Sequence, residues 1–383
     1  VAGSDRIAFV AMNPPRVARV PYTVALVLIG LVVGLIPKLP RAITPELVLY
    51  LFLPPLLFAG AWELQVERLR RLWAPITLLA TIGVAIGIVA SYALLRFGGG
   101  ANAETALLFG AIVAATDPVA VLALFRNMHA DPDLATLVEG ESLFNDGTGV
   151  VIFRSILAGI VAGHGLHASS ILSSFAILAF GGVVLGLAVG FLASRITSAL
   201  SRSLGWYVFA SVVLAYGLYV LAENLHVSGI MAVLTAGIVV SATARASPAL
   251  KEAVEETDRF WEVLALLANA ALFLLVGLSV NLAAIVAAWP ATGWAILAII
   301  VGRAATVYGI APLSALLGVR LSFQRQNALA VGGLRGALSM ALALSLPSGL
   351  ADRELLVTMV FSAVVFTLVV QGLAVQFVVK PAA

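Results

Sequence analysis

Runs of apolar residues about twenty long follow one another down the whole chain, each long enough to cross a bilayer as a helix. Of the 383 residues, 62% are hydrophobic and only 11% are charged, whereas roughly a quarter of a soluble domain is charged. So few charges cannot furnish a water-facing surface. The chain is therefore expected to be an all-α polytopic membrane protein. Aspartates nevertheless stand inside two of the runs, in "ATDPVAV" at 115–121 and "ESLFNDGTGV" at 141–150. The functional question is what those carboxylates do.

Twelve spans are expected, near 21–37, 46–62, 72–96, 104–128, 138–162, 171–194, 205–222, 227–242, 258–280, 291–317, 325–347 and 354–379. The connections are too short for a soluble domain. With the N-terminus placed inside, fifteen basic residues fall in inside loops and four (Lys38, Arg41, Arg96 and Arg353) in outside ones. Cytoplasmic loops collect Lys and Arg, so both termini are expected to be cytoplasmic, in a cell or inner membrane. The same bias accounts for the net charge of +3 without a nucleic-acid partner. The absence of Cys excludes disulfides and thiolate metal sites. Nothing at the N-terminus reads as a cleavable signal. His129, His164, His167 and His226 fall near span ends and read as ordinary loop residues.

Three basic residues, Arg154, Arg303 and Arg335, and five acidic ones, Asp117, Glu139, Glu141, Asp146 and Glu262, fall within spans. A charge at that depth is expensive and faces a bundle interior or a watery cavity. Structural ion pairs are the plain alternative. The clustering of the charges points further.

Thr116-Asp117-Pro118 interrupts the fourth span. Proline breaks a helix interior but suits the first position of a new helix, and Asp is a favoured cap just before it. We therefore expect a half-helix, a non-helical crossing at Thr116–Asp117, and a second half-helix from Pro118. Freed backbone groups are tolerated at that depth only in protein or beside a cavity, so Asp117 marks a cation or proton site.

In "EGESLFNDGTGV", Ser142 and Asp146 are four apart and share one helix face, while Glu141, Asn145 and Thr148 share another. Asp146 thus lines a substrate site, and Glu141 pairs structurally with an intramembrane arginine. The stretch "AVGGLRGALSMALALSLP" (330–347) sets three glycines around Arg335 and is a second candidate for a broken span. Each broken span is the middle member of a three-helix group (72–162 and 291–379). Such a pair points to an inverted-repeat secondary transporter with a site near the midplane.

At these residues the chain resembles the sodium/proton antiporters of the NhaP and NHE type, the electroneutral branch of the monovalent cation/proton antiporters. The resemblance rests on "PYTVALVLIGLVVGL" (21–35), "LFLPPLLFAGAWEL" (51–64), "ATDPVAVLALF" (115–125), "EGESLFNDGTGVV" (139–151), "FLLVGLSVNL" (273–282), "GRAATVY" (302–308) and "GGLRGALSMALALSLP" (332–347), which occur in the family's order. It implies a non-enzymatic, elevator-type carrier without cofactors. A core of residues 72–162 and 291–383 would move past a dimerising scaffold of residues 1–71 and 163–290. It also implies thirteen helices; "DRIAFVAM" (5–12) is too short to span, so twelve are expected here, without the regulatory tail of some relatives. Carried over, Asp146 matches the essential ion-binding and proton-exchanging aspartate, Asp117 and Thr116 the crossing residues, and Ser142 and Asn145 their neighbours. Na⁺ would sit at Asp146, Asp117 and Thr116. Glu141 matches an acid whose partner falls on Arg303, and Arg335 an arginine with a structural or gating role. The electrogenic branch has a second aspartate where this chain has Asn145, so the resemblance implies one proton exchanged for one Na⁺ (or Li⁺ or K⁺).

Burial disfavours the charged form of a carboxylate and a bound cation favours it. Na⁺ and H⁺ would therefore compete for Asp146, and competition suffices for antiport. Three rivals exist. An intramembrane aspartyl protease shares a proton between two aspartates, but that class would show Gly-x-Gly-Asp, and Asp146 follows Phe144-Asn145. A sodium-coupled symporter of an organic anion would need a cationic pocket, which Arg303 and Arg335 could supply. A sensor scaffold lacks its soluble domain in this chain.

Overall fold

The computed structural model describes residues 22–36, 44–128, 130–163, 168–200 and 204–379. The stretch 5–12, the basic residues Arg6, Arg16, Arg19, Lys38, Arg41, Arg202 and Lys380, and His129, His164 and His167 lie outside them. Among the described residues there is no strand. The helices longer than two turns are α1 (Tyr22–Gly34), α2 (Leu47–Glu63), α3 (Trp73–Gly98), α4 (Ala103–Ile112), α5 (Val119–Met128), α6 (Pro132–Val161) and α7 (Ala168–Leu200). They continue as α8 (Leu204–Asn224), α9 (Gly229–Arg245), α10 (Lys251–Ser279), α11 (Trp289–Leu316), α12 (Phe323–Gly332), α13 (Ala337–Leu344) and α14 (Arg353–Val378).

Each expected span falls on a helix or a broken helix. Among the described residues, seven helices are long and apolar enough to cross a membrane alone, and α12 with α13 form an eighth, bent by 43°. The protein is a multi-pass membrane protein. Helix starts differ from the expected spans where a polar first turn precedes the apolar part. Helix α6 begins at Pro132 rather than 138, capped by Asp131, whose carboxylate accepts from Asp133 N at 3.0 Å. Helix α10 begins at Lys251 rather than 258. Apolarity marks the stretch in the bilayer; capping and hydrogen bonding set the end of the helix.

Lipid supplies no hydrophobic drive between helices, so close backbone approach at small residues does the work. Gly182, Gly186 and Gly190 form a ridge on α7 that lies on α9; a Cβ at Gly190 would sit 3.0 Å from Ala236 Cα. Helix α1 meets α10 in the same way, where a Cβ at Gly277 would come within 2.9 Å of Gly30 Cα. Helices α2, α8 and α9 pack together, and α3 packs on α4 and α11, with α14 against α11, α12 and α13. Helix α6 touches both sets.

Helix α3 contains π-helical turns at Leu79–Gly83 and Leu94–Gly98, and α14 one at Thr367–Gln371. Such turns loosen the regular ladder and gather at functional sites. At Leu79–Gly83 the loosened carbonyls are taken by threonines of neighbouring helices. Thr148 donates to Ala80 O at 2.6 Å and Thr306 to Gly83 O at 2.8 Å. The α3 turn is thereby tied to α6 and α11 beside the site described next.

Candidate functional site

Helix α4 ends at Ile112 and α5 starts at Val119, so the chain is unwound over 113–118, a wider break than the expected Thr116–Asp117 crossing. A second break at 333–336 separates α12 from α13. The two breaks meet: Asp117 N donates to Leu334 O at 2.8 Å. Gly333 (φ −76°, ψ 63°) is the centre of an inverse γ-turn closed by Leu334 N on Gly332 O at 2.9 Å. Arg335 N donates to the Thr367 hydroxyl at 3.0 Å, at the π turn of α14.

Backbone groups released inside a membrane must find partners, and α6 supplies those of Thr116 in the first break. Asn145 holds Thr116 from two directions: its Oδ1 accepts from Thr116 N at 3.1 Å and its Nδ2 donates to Thr116 Oγ1 at 2.8 Å. The Ser142 hydroxyl donates to the Thr116 carbonyl. Asp117 caps the second half-helix, its Oδ1 accepting from Val119 N at 3.0 Å. The sequence thus folds as its chemistry dictates: proline opens α5, aspartate caps it, one turn of α6 satisfies Thr116, and the second break takes Asp117 N.

Helix α6 divides the polar residues between two cavities. The larger, about 460 Å³, is lined by Thr116, Asp117, Ser142 and Asp146, and reaches Glu139, Glu262 and the exposed Arg126–Glu63 pair (3.0 Å). Glu139, Ser142 and Asp146 are three and four residues apart, so one face of α6 carries all three. The Asp146 carboxylate makes no hydrogen bond or ion pair among the described residues and faces this cavity. The smaller cavity, about 20 Å³, is lined by Glu141, Asn145, Arg303 and Arg335. There the Arg303 guanidinium grips Glu141 with both Nη atoms, Nη2 to Oε2 at 2.9 Å, and donates twice more to Leu329 O. Arg335 is buried beside them, and its Nε and Nη1 have no hydrogen-bond partner among the described residues.

Of the singled-out residues, Asp146, Asp117, Thr116 and Ser142 share the large cavity. Asn145, Glu141, Arg303 and Arg335 lie behind it, and Asn145 touches the site through Thr116. Arg154 pairs with Glu223 of α8 at 2.8 Å, about 12 Å along α6 from Asp146 on the side away from Glu139. Glu63 and Ser339 also line the large cavity without having been singled out. Glu63 lies one residue past the expected span 46–62. Ser339 is three residues beyond Gly336, a helical spacing that becomes a signal only once the break before it is known.

Gly336 lies directly against Asp117: a Cβ there would fall 2.6 Å from Asp117 Cβ. Overfilling a tight site costs about 1–3 kcal/mol, here placed on the aspartate itself. Gly336→Ala is expected to weaken cation-dependent activity about tenfold or more while the protein still purifies as a folded species. Wild-type activity in that variant would show that Asp117 does not need its observed position.

A multi-pass helical protein whose two broken helices cross beside paired carboxylates belongs to the secondary transporters built around discontinuous helices. The model of the sodium/hydrogen exchanger family, transmembrane region, matches residues 7–380, and the chain belongs to that family. It is 38% identical to the low-affinity Na⁺/H⁺ antiporter NhaS1 of Synechocystis, over 98% of this chain and 72% of the relative. It is 37% identical to the Na⁺/H⁺ antiporter NhaP of Pseudomonas aeruginosa, over 88% of this chain and 81% of that one. The fold is that of the sodium proton antiporter MjNhaP1 of Methanocaldococcus jannaschii, with a TM-score of 0.74 at 22% identity, covering 92% of this chain and 89% of that one.

Proposed function

We propose that the protein is a secondary active antiporter that exchanges Na⁺ for H⁺ at Asp146. One observation carries this reading against the symporter: the buried arginines and the cavity aspartates lie on opposite sides of α6. The one arginine lining the large cavity, Arg126, is exposed and taken by Glu63, so an organic anion would need Arg303 or Arg335 there. That cavity instead offers carboxylate, hydroxyl and carbonyl oxygens, which suit a small hard cation.

Asp146 binds either ligand. Na⁺ is held by Asp146, Asp117 and the Thr116 oxygens, with Ser142 and Asn145 fixing the Thr116 backbone. A proton on Asp146 removes the charge that holds Na⁺. With Asp146 neutralised by one or the other, the core (72–162 and 291–383) moves past the scaffold (1–71 and 163–290); with Asp146 empty and charged, moving it into the apolar interior is too costly. Two core–scaffold pairs, Arg126–Glu63 and Arg154–Glu223, lie on opposite sides of Asp146, and the cavity opens beside the first. The basic excess supports a cytoplasmic position for that side and for both termini; the protein works in the cell membrane as a homodimer. Arg335 supports the second break structurally or as a gate.

The test is cation-driven proton efflux from reconstituted proteoliposomes, adding Na⁺, Li⁺ or K⁺. Na⁺ is expected to drive efflux, with an apparent KM that rises as the pH falls. At one proton per cation, the rate is expected to be unchanged by an imposed membrane potential. An organic substrate driving Na⁺ uptake without proton efflux would install the symporter instead.

A further inference from the structure

Ser339 stands in the first turn of α13, three residues after Gly336, and so shares the helix face that meets Asp117. It lines the same cavity as Thr116, Asp117, Ser142 and Asp146. Its side chain is 0% exposed, and its hydroxyl has no hydrogen-bond partner among the described residues. A buried hydroxyl without a partner is a cost that folds avoid.

The other serines of these helices show what is missing. Ser155 returns its hydroxyl to Val151 O at 2.9 Å, Ser345 to Leu342 O at 2.8 Å, and Ser362 to Met359 O at 2.7 Å. Such back-bonding needs a helical carbonyl one turn earlier. Four residues before Ser339 stands Arg335, in the unwound stretch that ends at Gly336. The break that brings Leu334 O to Asp117 N therefore also leaves the Ser339 hydroxyl unspent, at the wall of the ion cavity and next to an aspartate.

We propose that Ser339 is a further ligand of the transported cation, its hydroxyl oxygen joining the carboxylates of Asp117 and Asp146 from the side opposite α6. The inference rests on the antiport reading and deepens it. It assigns the second broken helix a direct part in the site, where its known contact is a backbone bond. A lone pair of the hydroxyl faces the cation, and its proton is free to turn to a carboxylate when the cation leaves. A neutral oxygen does not compete for the exchanged proton, so Ser339 acts on cation affinity and on discrimination between cations of different size.

The experiment compares wild type, Ser339→Ala and Ser339→Thr in proteoliposomes, measuring proton efflux against Na⁺, Li⁺ and K⁺ concentration, with thermal melts of each variant. Ser339→Ala is expected to raise the KM for Na⁺ about tenfold, the scale of one lost charge-assisted contact. It is also expected to change the ratio of the Li⁺ and Na⁺ KM values, with kcat held within about twofold. Ser339→Thr keeps an oxygen and is expected to stay closer to wild type in both. A purely packing role would lower the melting temperature or kcat of the alanine variant without altering the ratio between cations; that result, or unchanged KM values, overturns the proposal. No cation-driven efflux in wild type would overturn the antiport reading and this one with it, whereas exchange in wild type with an unaltered alanine variant overturns only the assignment of Ser339.

Discussion

Asp146→Ala is expected to reduce cation-driven proton efflux to the level of empty liposomes, for Na⁺, Li⁺ and K⁺ alike. In the proposed mechanism both ligands use one carboxylate. Removing it deletes the proton carrier and the charge that binds the cation together, and Asp117 alone keeps its Oδ1 on the Val119 N–H at 3.0 Å. Asp146 makes no hydrogen bond or ion pair among the described residues, so its loss breaks no internal interaction. The variant is therefore expected to melt within a few degrees of wild type, like an ordinary substitution facing a cavity. Efflux persisting above about a tenth of the wild-type rate would remove Asp146 from the mechanism. Loss of both efflux and fold would make it a structural residue.

Glu141→Ala is expected to behave in the opposite way, losing stability first. Glu141 and Arg303 are 2% and 6% exposed, and the guanidinium meets both carboxylate oxygens. Removing one partner leaves the other charge buried, which costs about 3–5 kcal/mol. Arg303 keeps its bonds to Leu329 O, which places the loss toward the lower end. Arg335, buried close by with two nitrogens unpaired, adds like charge once Glu141 is gone. A lower melting temperature and lower expression are expected in the single variant. Partial recovery is expected in Glu141→Ala/Arg303→Met, where no unpaired charge remains. A single variant as stable as wild type, or a double variant worse than both singles, would mean that the pair is not what holds α6 to α11. Gly333 guards the same contact, since a Cβ there would lie 2.8 Å from Arg303 Cδ.

Much of this site was legible along the chain because its signals are local. Helical spacing alone sends Ser142 and Asp146 to one face of α6 and Glu141, Asn145 and Thr148 to another, and the two faces do line different surroundings. Proline after aspartate told that the fourth span breaks, though not that it unwinds over 113–118. The width of the break depends on partners waiting for the released groups, and those sit on α6 and at Leu334, far away in sequence. Asn145 read as a site residue. Its amide is engaged by Thr116, a relation that no spacing encodes. Glu63 and Ser339 went unnoticed for the same reason, since what places each in the cavity is the approach of another helix.

The sequence by itself determined that the chain is a helical membrane protein, where two of its helices break, and which face of α6 each carboxylate takes. These follow from the cost of charge and of unpaired backbone in lipid, and from the 3.6-residue turn, all of which act within a few residues. Only the tertiary structure decided that the two breaks touch, that Arg303 takes Glu141 and leaves Asp146 to the cavity, and that Arg303 and Arg335 stay out of the larger cavity. Those outcomes depend on which helix surfaces meet. That choice is made by packing between segments as far apart in sequence as Gly83 and Thr306, where small residues let backbones approach and every polar group must find its partner.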